Sequence, residues 1–331
     1  MEELILHFPD HLESALQEAD RAAQHWKFPA RRFESIVITG LGGSGIGGSM
    51  VADWVQSTAR CPIVVNKNYD LPAFVNRNTL VLACSYSGNT EETLSATRQA
   101  AAAGAEVAVV SSGGALLAMA REQGWNAFEV PGGNPPRSML GWNLGGLMRL
   151  LDYYDAGVPD YRTAFAQAIA GMRAHQTSIR TEAETQALEL QGRCLVFYAT
   201  EGMGGLAMRL RQQFNENSKM LGWSAAIPEM NHNELVGWAG GSEHYAVVFM
   251  RHGFEHPRNA YRAELNADLI RRYTPHLQHW SGPGDSLIAQ SLWLSHWADW
   301  ASLKLSELNR VDILDIAVID DLKTRLGARA E

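Results

Sequence analysis

Cysteine is scarce in this chain: Cys61, Cys84 and Cys194 are the only three in 331 residues, and they are isolated from one another. An odd number with no CxxC spacing offers neither a disulfide framework nor a thiolate metal site, so three structural thiols in a reducing compartment are expected. Positive charge is also in deficit. With 28 Lys and Arg against 36 Asp and Glu the formal net charge is −8, and no basic run offsets it, which argues against nucleic acid as a partner. No apolar run reaches the length of a membrane span, and the acidic start MEELILHFPDHLESALQEAD lacks the apolar core of a signal peptide. A cytoplasmic protein with no membrane contact is expected. Histidine is present, but Gly253 and Pro257 interrupt any helix that would align His252 with His256. No compact cysteine or carboxylate set completes a site with His232 and His244, so no metal is expected.

What the chain does have is length for two domains with real cores, and 46% hydrophobic against 19% charged residues. Residues 1–33 read as a leading helix, with Leu12, Ala15, Leu16, Ala19 and Ala22 at helical spacing. From Ser35 to about Leu151, short apolar runs at 36–39, 62–66, 80–84, 107–111 and 127–130 alternate with helices starting at Gly45, Thr90 and Ala115. That alternation predicts a parallel sheet covered by helices on both faces, with ligands at the carboxyl ends of the strands. The helical stretch from Leu144 to about Gln191 holds the expected domain boundary, near Tyr154 to Tyr161. A second strand, glycine loop and helix then follow at 193–199, 200–205 and 206–221.

Two loops at strand ends point to chemistry. GLGGSGIGG, Gly40 to Gly48, follows the first strand and opens a helix on which Met50, Val51, Trp54 and Val55 share a face. Around Gly43 and Ser44 such a loop presents backbone N–H groups that suit a phosphate, although a tight turn without a ligand has the same form. CSYSGNTEET, Cys84 to Thr93, places Ser85, Ser87 and Thr90 just ahead of Glu91 and Glu92. Three hydroxyls at a helix start make an anion cradle that needs no lysine; the plain alternative is a capping box around Thr90, which needs only one. A third loop, VPGGNPPRSMLG, brings Arg137 to a strand end, either as a bidentate anion ligand or as a solvated loop residue.

GLGGSGIGG followed by SYSGNTEET resembles the SIS (sugar isomerase) domain, and within it the bifunctional phosphoglucose/phosphomannose isomerase family, from about Phe33 to Leu326. The resemblance implies an α/β fold of two tandem SIS domains, 1–155 and 156–331, each a flavodoxin-like parallel sheet flanked by helices. Its second glycine loop, EGMGG, is a degraded copy with no serine cluster. The implied function is an aldose–ketose isomerase, interconverting glucose 6-phosphate and/or mannose 6-phosphate with fructose 6-phosphate through an enediolate. It would need no cofactor and would work as a homodimer on a sugar phosphate.

The family's motifs fall on FNENSK, Phe214 to Lys219, and PEMNHNELVGW, Pro228 to Trp238. The resemblance makes Glu216 the base that carries a proton between C2 and C1, and His232 the ring-opening group, which reaches the partner subunit's site. Arg137 would stabilise the developing charge, while Gly43, Ser44, Ser85, Ser87 and Thr90 hold the phosphate. Taken alone, Glu216 is a glutamate among amides on a helix and His232 a turn residue, each with a solvated alternative.

One region departs from the family pattern. Where a lysine ahead of a Gly-(Ile/Val)-Asp-Pro turn is expected, this chain reads LKLSELNRVDILD, leaving Lys304 or Arg310 to substitute, with Ser302 the counterpart of a family hydroxyl. Ten tryptophans and the apolar stretch Ser291 to Leu305 are expected to supply dimer surface. Two other functions remain open: a sugar-phosphate-sensing module without catalysis, and an aminosugar-phosphate isomerase or deaminase.

Overall fold

The computed structural model describes residues 1–29 and 31–328. The expected domain limits therefore include residues 30 and 329–331, which lie outside the described residues. Helices α1 (Glu2–Leu6) and α2 (Phe8–Ala23) lead into β1 (Ser35–Thr39). Then come α3 (Gly42–Val55), β2 (Ile63–Asn66), β3 (Thr79–Ser85), α4 (Glu91–Ala102), β4 (Glu106–Ser111), α5 (Gly114–Gln123) and β5 (Asn126–Glu129). All pairings are parallel, in the order β2-β1-β3-β4-β5. Every residue of β3 is buried, which is why Leu80-Val81-Leu82-Ala83 is an unbroken apolar run and not an alternating one. Ile46, Met50 and Val51 of α3 pack with Ile36 and Ile38 on one face of the sheet, while Leu94 and Ala100 of α4 pack with Val37 and Val81 on the other. The strand order reverses between β1 and β3, and the crevice opens there.

A single 3-10 turn, Pro136–Met139, starts on a proline whose missing N–H is harmless at that position. It leads into α6 (Leu140–Tyr153), α7 (Tyr161–Ala174) and α8 (Gln176–Leu188). The stretch read as one long helical run is thus three helices, broken around Pro159 and again at His175. The second half comprises β6 (Cys194–Ala199), α9 (Gly204–Ser218), β7 (Gly222–Ala226), α10 (Glu234–Gly237), β8 (Tyr245–Arg251), α11 (Pro257–Ile270), β9 (Leu277–Ser281), α12 (Leu287–Leu308) and α13 (Ala317–Gly327). Its parallel sheet, β7-β6-β8-β9, repeats the order of the first four strands and, among the described residues, has no fifth.

One apolar cluster runs from Leu12 through Met50, Leu144 and Phe165 to Phe197, Leu210 and Trp300, so the two sheets share a helical layer. The helix α12 lies inside that layer, with Leu292, Ala298, Trp300 and Leu305 fully buried. This corrects one expectation. A helix apolar on all sides is protomer core, so Ser291 to Leu305 is not dimer surface.

Candidate active site

The crevice between β1 and β3 is lined by two helix starts without side-chain caps. Leu41 stands at the N-cap of α3 and Thr90 at that of α4, and neither side chain accepts from the first turn. Both helices therefore turn unpaired N–H groups and positive dipole ends toward the crevice. Ser44 Oγ accepts from the Tyr86 backbone N–H at 2.9 Å and ties the glycine loop to the serine loop. Ser85 is buried, accepts from Gly88 N–H at 3.1 Å and lies 2.9 Å from Thr90 Oγ1. Ser87 is exposed and accepts from Asn89 N–H at 3.2 Å. The expected cradle residues come together, with a division of tasks. Ser85 shapes the loop, whereas Ser44 and Ser87 act there as acceptors of backbone N–H groups. Thr90 sits at a cap position without capping, which weighs against the simple capping reading.

Gly43 fixes how closely the third loop approaches. A Cβ there would meet Pro136 O at 3.0 Å and Arg137 N at 3.3 Å, so only glycine lets this loop lie against the start of α3. Arg137 is thereby carried inward to 6% exposure. Its Nε donates to Asn217 Oδ1 at 2.8 Å, its Nη2 to the Ile313 carbonyl at 2.6 Å and its Nη1 to Glu216 Oε2 at 3.3 Å. Burial lowers the Arg137 pKa and the Glu216 carboxylate opposes that shift; a guanidinium remains charged regardless. Asn217 donates onward to Ser302 Oγ at 2.9 Å, and Ser302 Oγ donates to the Asp299 carbonyl at 2.8 Å. Behind them Arg209 and Asp299 form a buried ion pair, Nη2 to Oδ2 at 2.9 Å, that joins α9 to α12. Gly43, Arg137, Gln213 and Glu216 line a single small hollow, so the first glycine loop and the carboxylate face the same space.

Residues 31–122 match the family model described as SIS domain, and residues 179–326 match the one described as bacterial phospho-glucose isomerase C-terminal SIS domain. A bifunctional phosphoglucose/phosphomannose isomerase of Aquifex aeolicus is 34% identical over 301 residues, covering 90% of this chain and 92% of the relative. The chain belongs to that family. A D-glucosamine-6-phosphate 4-epimerase of Sulfolobus acidocaldarius is 27% identical, covering 88% of this chain and 89% of its own. The crystal structure of a hypothetical protein from Thermus thermophilus is alike in fold, with a TM-score of 0.75 at 19% identity over 99% of this chain and 91% of that one.

For a member of the phosphoglucose/phosphomannose isomerase family, several expected residues stand apart from the Arg137–Glu216 cluster. His232 ends a 3-10 turn, Glu229–His232, beyond the edge strand β7; it is exposed and makes no hydrogen bond to the cluster among the described residues. Ser302 has 0% exposure, so it supports Asn217 and does not face a ligand. Lys304 pairs with Glu307 at 3.1 Å on its own helix, and Arg310 is exposed. Neither bonds Arg137 or Glu216, because the segment in question reaches the cluster through the Ile313 carbonyl and not through a cation. Asn217 is one of the amides that the sequence places around Glu216, whereas nothing in the sequence points to Ile313. Asn217 was visible inside FNENSK, but a backbone carbonyl leaves no residue signature.

The second glycine loop is degraded for a physical reason. Asp53 of α3 accepts the Gly205 N–H at 2.6 Å, placing a carboxylate at the N-terminus of α9 where a ligand anion would otherwise sit. Burial raises the Asp53 pKa and the Gly205 N–H opposes it. A Cβ at Gly205 would come within 2.7 Å of Met50 N, so this loop serves as the joint between α3 and α9. Burial pushes the Cys84 thiol up to about 12, leaving it unreactive. Among the described residues no group of three or more His, Cys, Asp or Glu is placed to hold a metal, and no helix is long and apolar enough to cross a membrane.

Proposed function

We propose that this chain interconverts glucose 6-phosphate and mannose 6-phosphate with fructose 6-phosphate. The observation that carries the reading is the hollow shared by Gly43, Arg137 and Glu216, with a buried guanidinium against the carboxylate and the uncapped start of α3 in its wall. The phosphate docks on those N–H groups with Ser44, Ser87 and Thr90, in a loop shaped by Ser85. His232 moves a proton between the ring oxygen and the anomeric hydroxyl, a task suited to an imidazole. Glu216 takes the proton from C2 and returns it at C1, and Arg137 fixes positive charge beside the enediolate. Rotation about C2–C3 lets C2 be protonated from either face, which gives both aldoses.

A homodimer completes this picture, with His232 delivered to the site of a second copy. Its support is the exposure of His232 together with uncovered apolar residues: Leu221 is 82% and Val236 77% exposed, and α13 buries none of its residues. We place the domain boundary at 155/156, in the link between α6 and α7, and the three free cysteines suit a reducing cytoplasm. An aminosugar phosphate is the second reading, supported by the likeness to the Sulfolobus epimerase. Coupled assays of the purified protein with fructose 6-phosphate decide between them. Formation of glucose 6-phosphate and mannose 6-phosphate is expected; turnover of glucosamine 6-phosphate without either product would favour the second reading.

A further inference from the structure

Arg137 is heavily committed. Each of its three guanidinium nitrogens already donates within the protein, and the side chain is buried. It can set the field of the site but has little freedom to follow a proton between two sugar oxygens. The segment 311–315, next to it, contributes a carbonyl and two carboxylates, Asp312 and Asp315, and no cation.

The cation that does stand there is Lys219. It follows the last turn of α9, three residues beyond Glu216, and its Nζ donates to the Glu216 carbonyl at 2.6 Å. Arg137, Glu216, Asp312 and Asp315 all act on its charge; burial and then Arg137 lower its pKa, against the three carboxylates. Its backbone is left-handed, with φ of 56°, as in only two other non-glycine residues among those described, Asp155 and Arg310. Helix ends with that geometry ordinarily carry glycine, which adopts it without strain. A lysine is a strained choice for that backbone, and strain of this kind concentrates at functional sites.

We propose that Lys219 is the mobile ammonium group of this active site, a catalytic residue beside Glu216. The assignment rests on the isomerase reading above. When Glu216 takes the proton from C2, the C–H electron pair forms the C1–C2 double bond and the carbonyl pair moves to O1. Lys219 leaves the Glu216 carbonyl and donates a proton to O1 as that charge forms. As C2 becomes the carbonyl and Glu216 returns its proton to C1, Lys219 recovers the proton released by O2. The lysine ends as it began, and atoms and charge balance.

The alternative is a lysine that merely satisfies a carbonyl at a helix end. Lys219→Gly separates the two, because glycine is the better residue for that backbone. On our assignment the variant unfolds at or above the wild-type temperature, keeps its KM for fructose 6-phosphate and loses kcat by about 100-fold, a general acid–base contribution. Lys219→Arg keeps the positive charge but cannot release a proton, so it recovers little of the loss, and recovery to near wild-type kcat would overturn the proton-transfer role. Wild-type kcat in Lys219→Gly would overturn the lysine assignment alone. A wild-type protein inactive on all three hexose phosphates would overturn the isomerase reading and the assignment with it.

Discussion

Arg137 and Glu216 lie 79 residues apart in sequence, one in the loop after the first sheet and one on the first helix of the second, and their side chains meet at 3.3 Å. The contact closes the site across the two sheets. Its geometry depends on Asn217, which accepts from Arg137 Nε and donates to Ser302.

Replacing that amide is the first test. Asn217→Ala leaves Arg137 Nε without its buried partner, which costs about 1–3 kcal/mol of stability, while Ser302 Oγ keeps its bond to the Asp299 carbonyl. The tilt of the guanidinium lowers kcat by about 100-fold, the scale of a 1 Å misplacement. Thermal unfolding and steady-state kinetics on fructose 6-phosphate check both; unchanged kcat with lowered stability would make Asn217 purely structural.

The serine loop gives a second prediction. Ser87 is exposed at the crevice, so Ser87→Ala removes a donor to the phosphate without disturbing the loop's packing. The expected loss of binding is about 1–3 kcal/mol, about 5- to 150-fold in KM. Ser85→Ala differs, because it unties Gly88 and Thr90 and loosens the loop itself. Equal effects of the two variants on unfolding would contradict this division.

Stability should fall in mild acid through His296. This imidazole is buried, stacks on Phe8 at 5.8 Å and accepts from Trp300 Nε1 at 3.3 Å. Burial lowers its pKa from 6.5 to about 4. Below the unfolded value the unfolded chain binds a proton that the native state refuses, so stability drops as pH falls through that window, by about 1.4 kcal/mol per unit. Denaturant unfolding at pH 7 and 5 should show a steeper acid loss in wild type than in His296→Phe. Identical slopes would mean that other groups set the acid sensitivity.

The partner histidine is tested by mixing subunits. Glu216→Gln and His232→Ala are each expected to be nearly inactive as homodimers. If His232 serves the neighbouring subunit, random reassortment yields heterodimers with one intact site, about a quarter of wild-type activity. No recovery after confirmed exchange would return His232 to its own subunit or remove it from the reaction.

Much of this was legible in the sequence because parallel strands and phosphate loops leave local signatures. Buried β-branched runs marked β1, β3 and β4, and clustered glycines and hydroxyls marked both loops. Arg137 and Glu216 were visible as motif residues, and the structure brings them together. What stayed hidden was non-local. The apolar run of α12 reads alike as core or as interface, and only packing on α7, α8 and α9 makes it core. Nothing in EGMGG discloses that Asp53, 152 residues earlier, caps Gly205. Sequence position points to LKLSELNRVDILD for a lysine, whereas the ammonium bonded to the Glu216 carbonyl belongs to Lys219, three positions along the same chain segment.

The central claim is that one carboxylate moves the C2 proton, and solvent exchange measures it directly. In deuterium oxide, wild-type protein with fructose 6-phosphate should place deuterium at C2 of the glucose 6-phosphate and mannose 6-phosphate formed. Glu216→Gln keeps size and hydrogen bonding, folds as wild type and should cut that incorporation by at least about 100-fold, the usual worth of a positioned general base. Incorporation at the wild-type rate in Glu216→Gln would contradict the account.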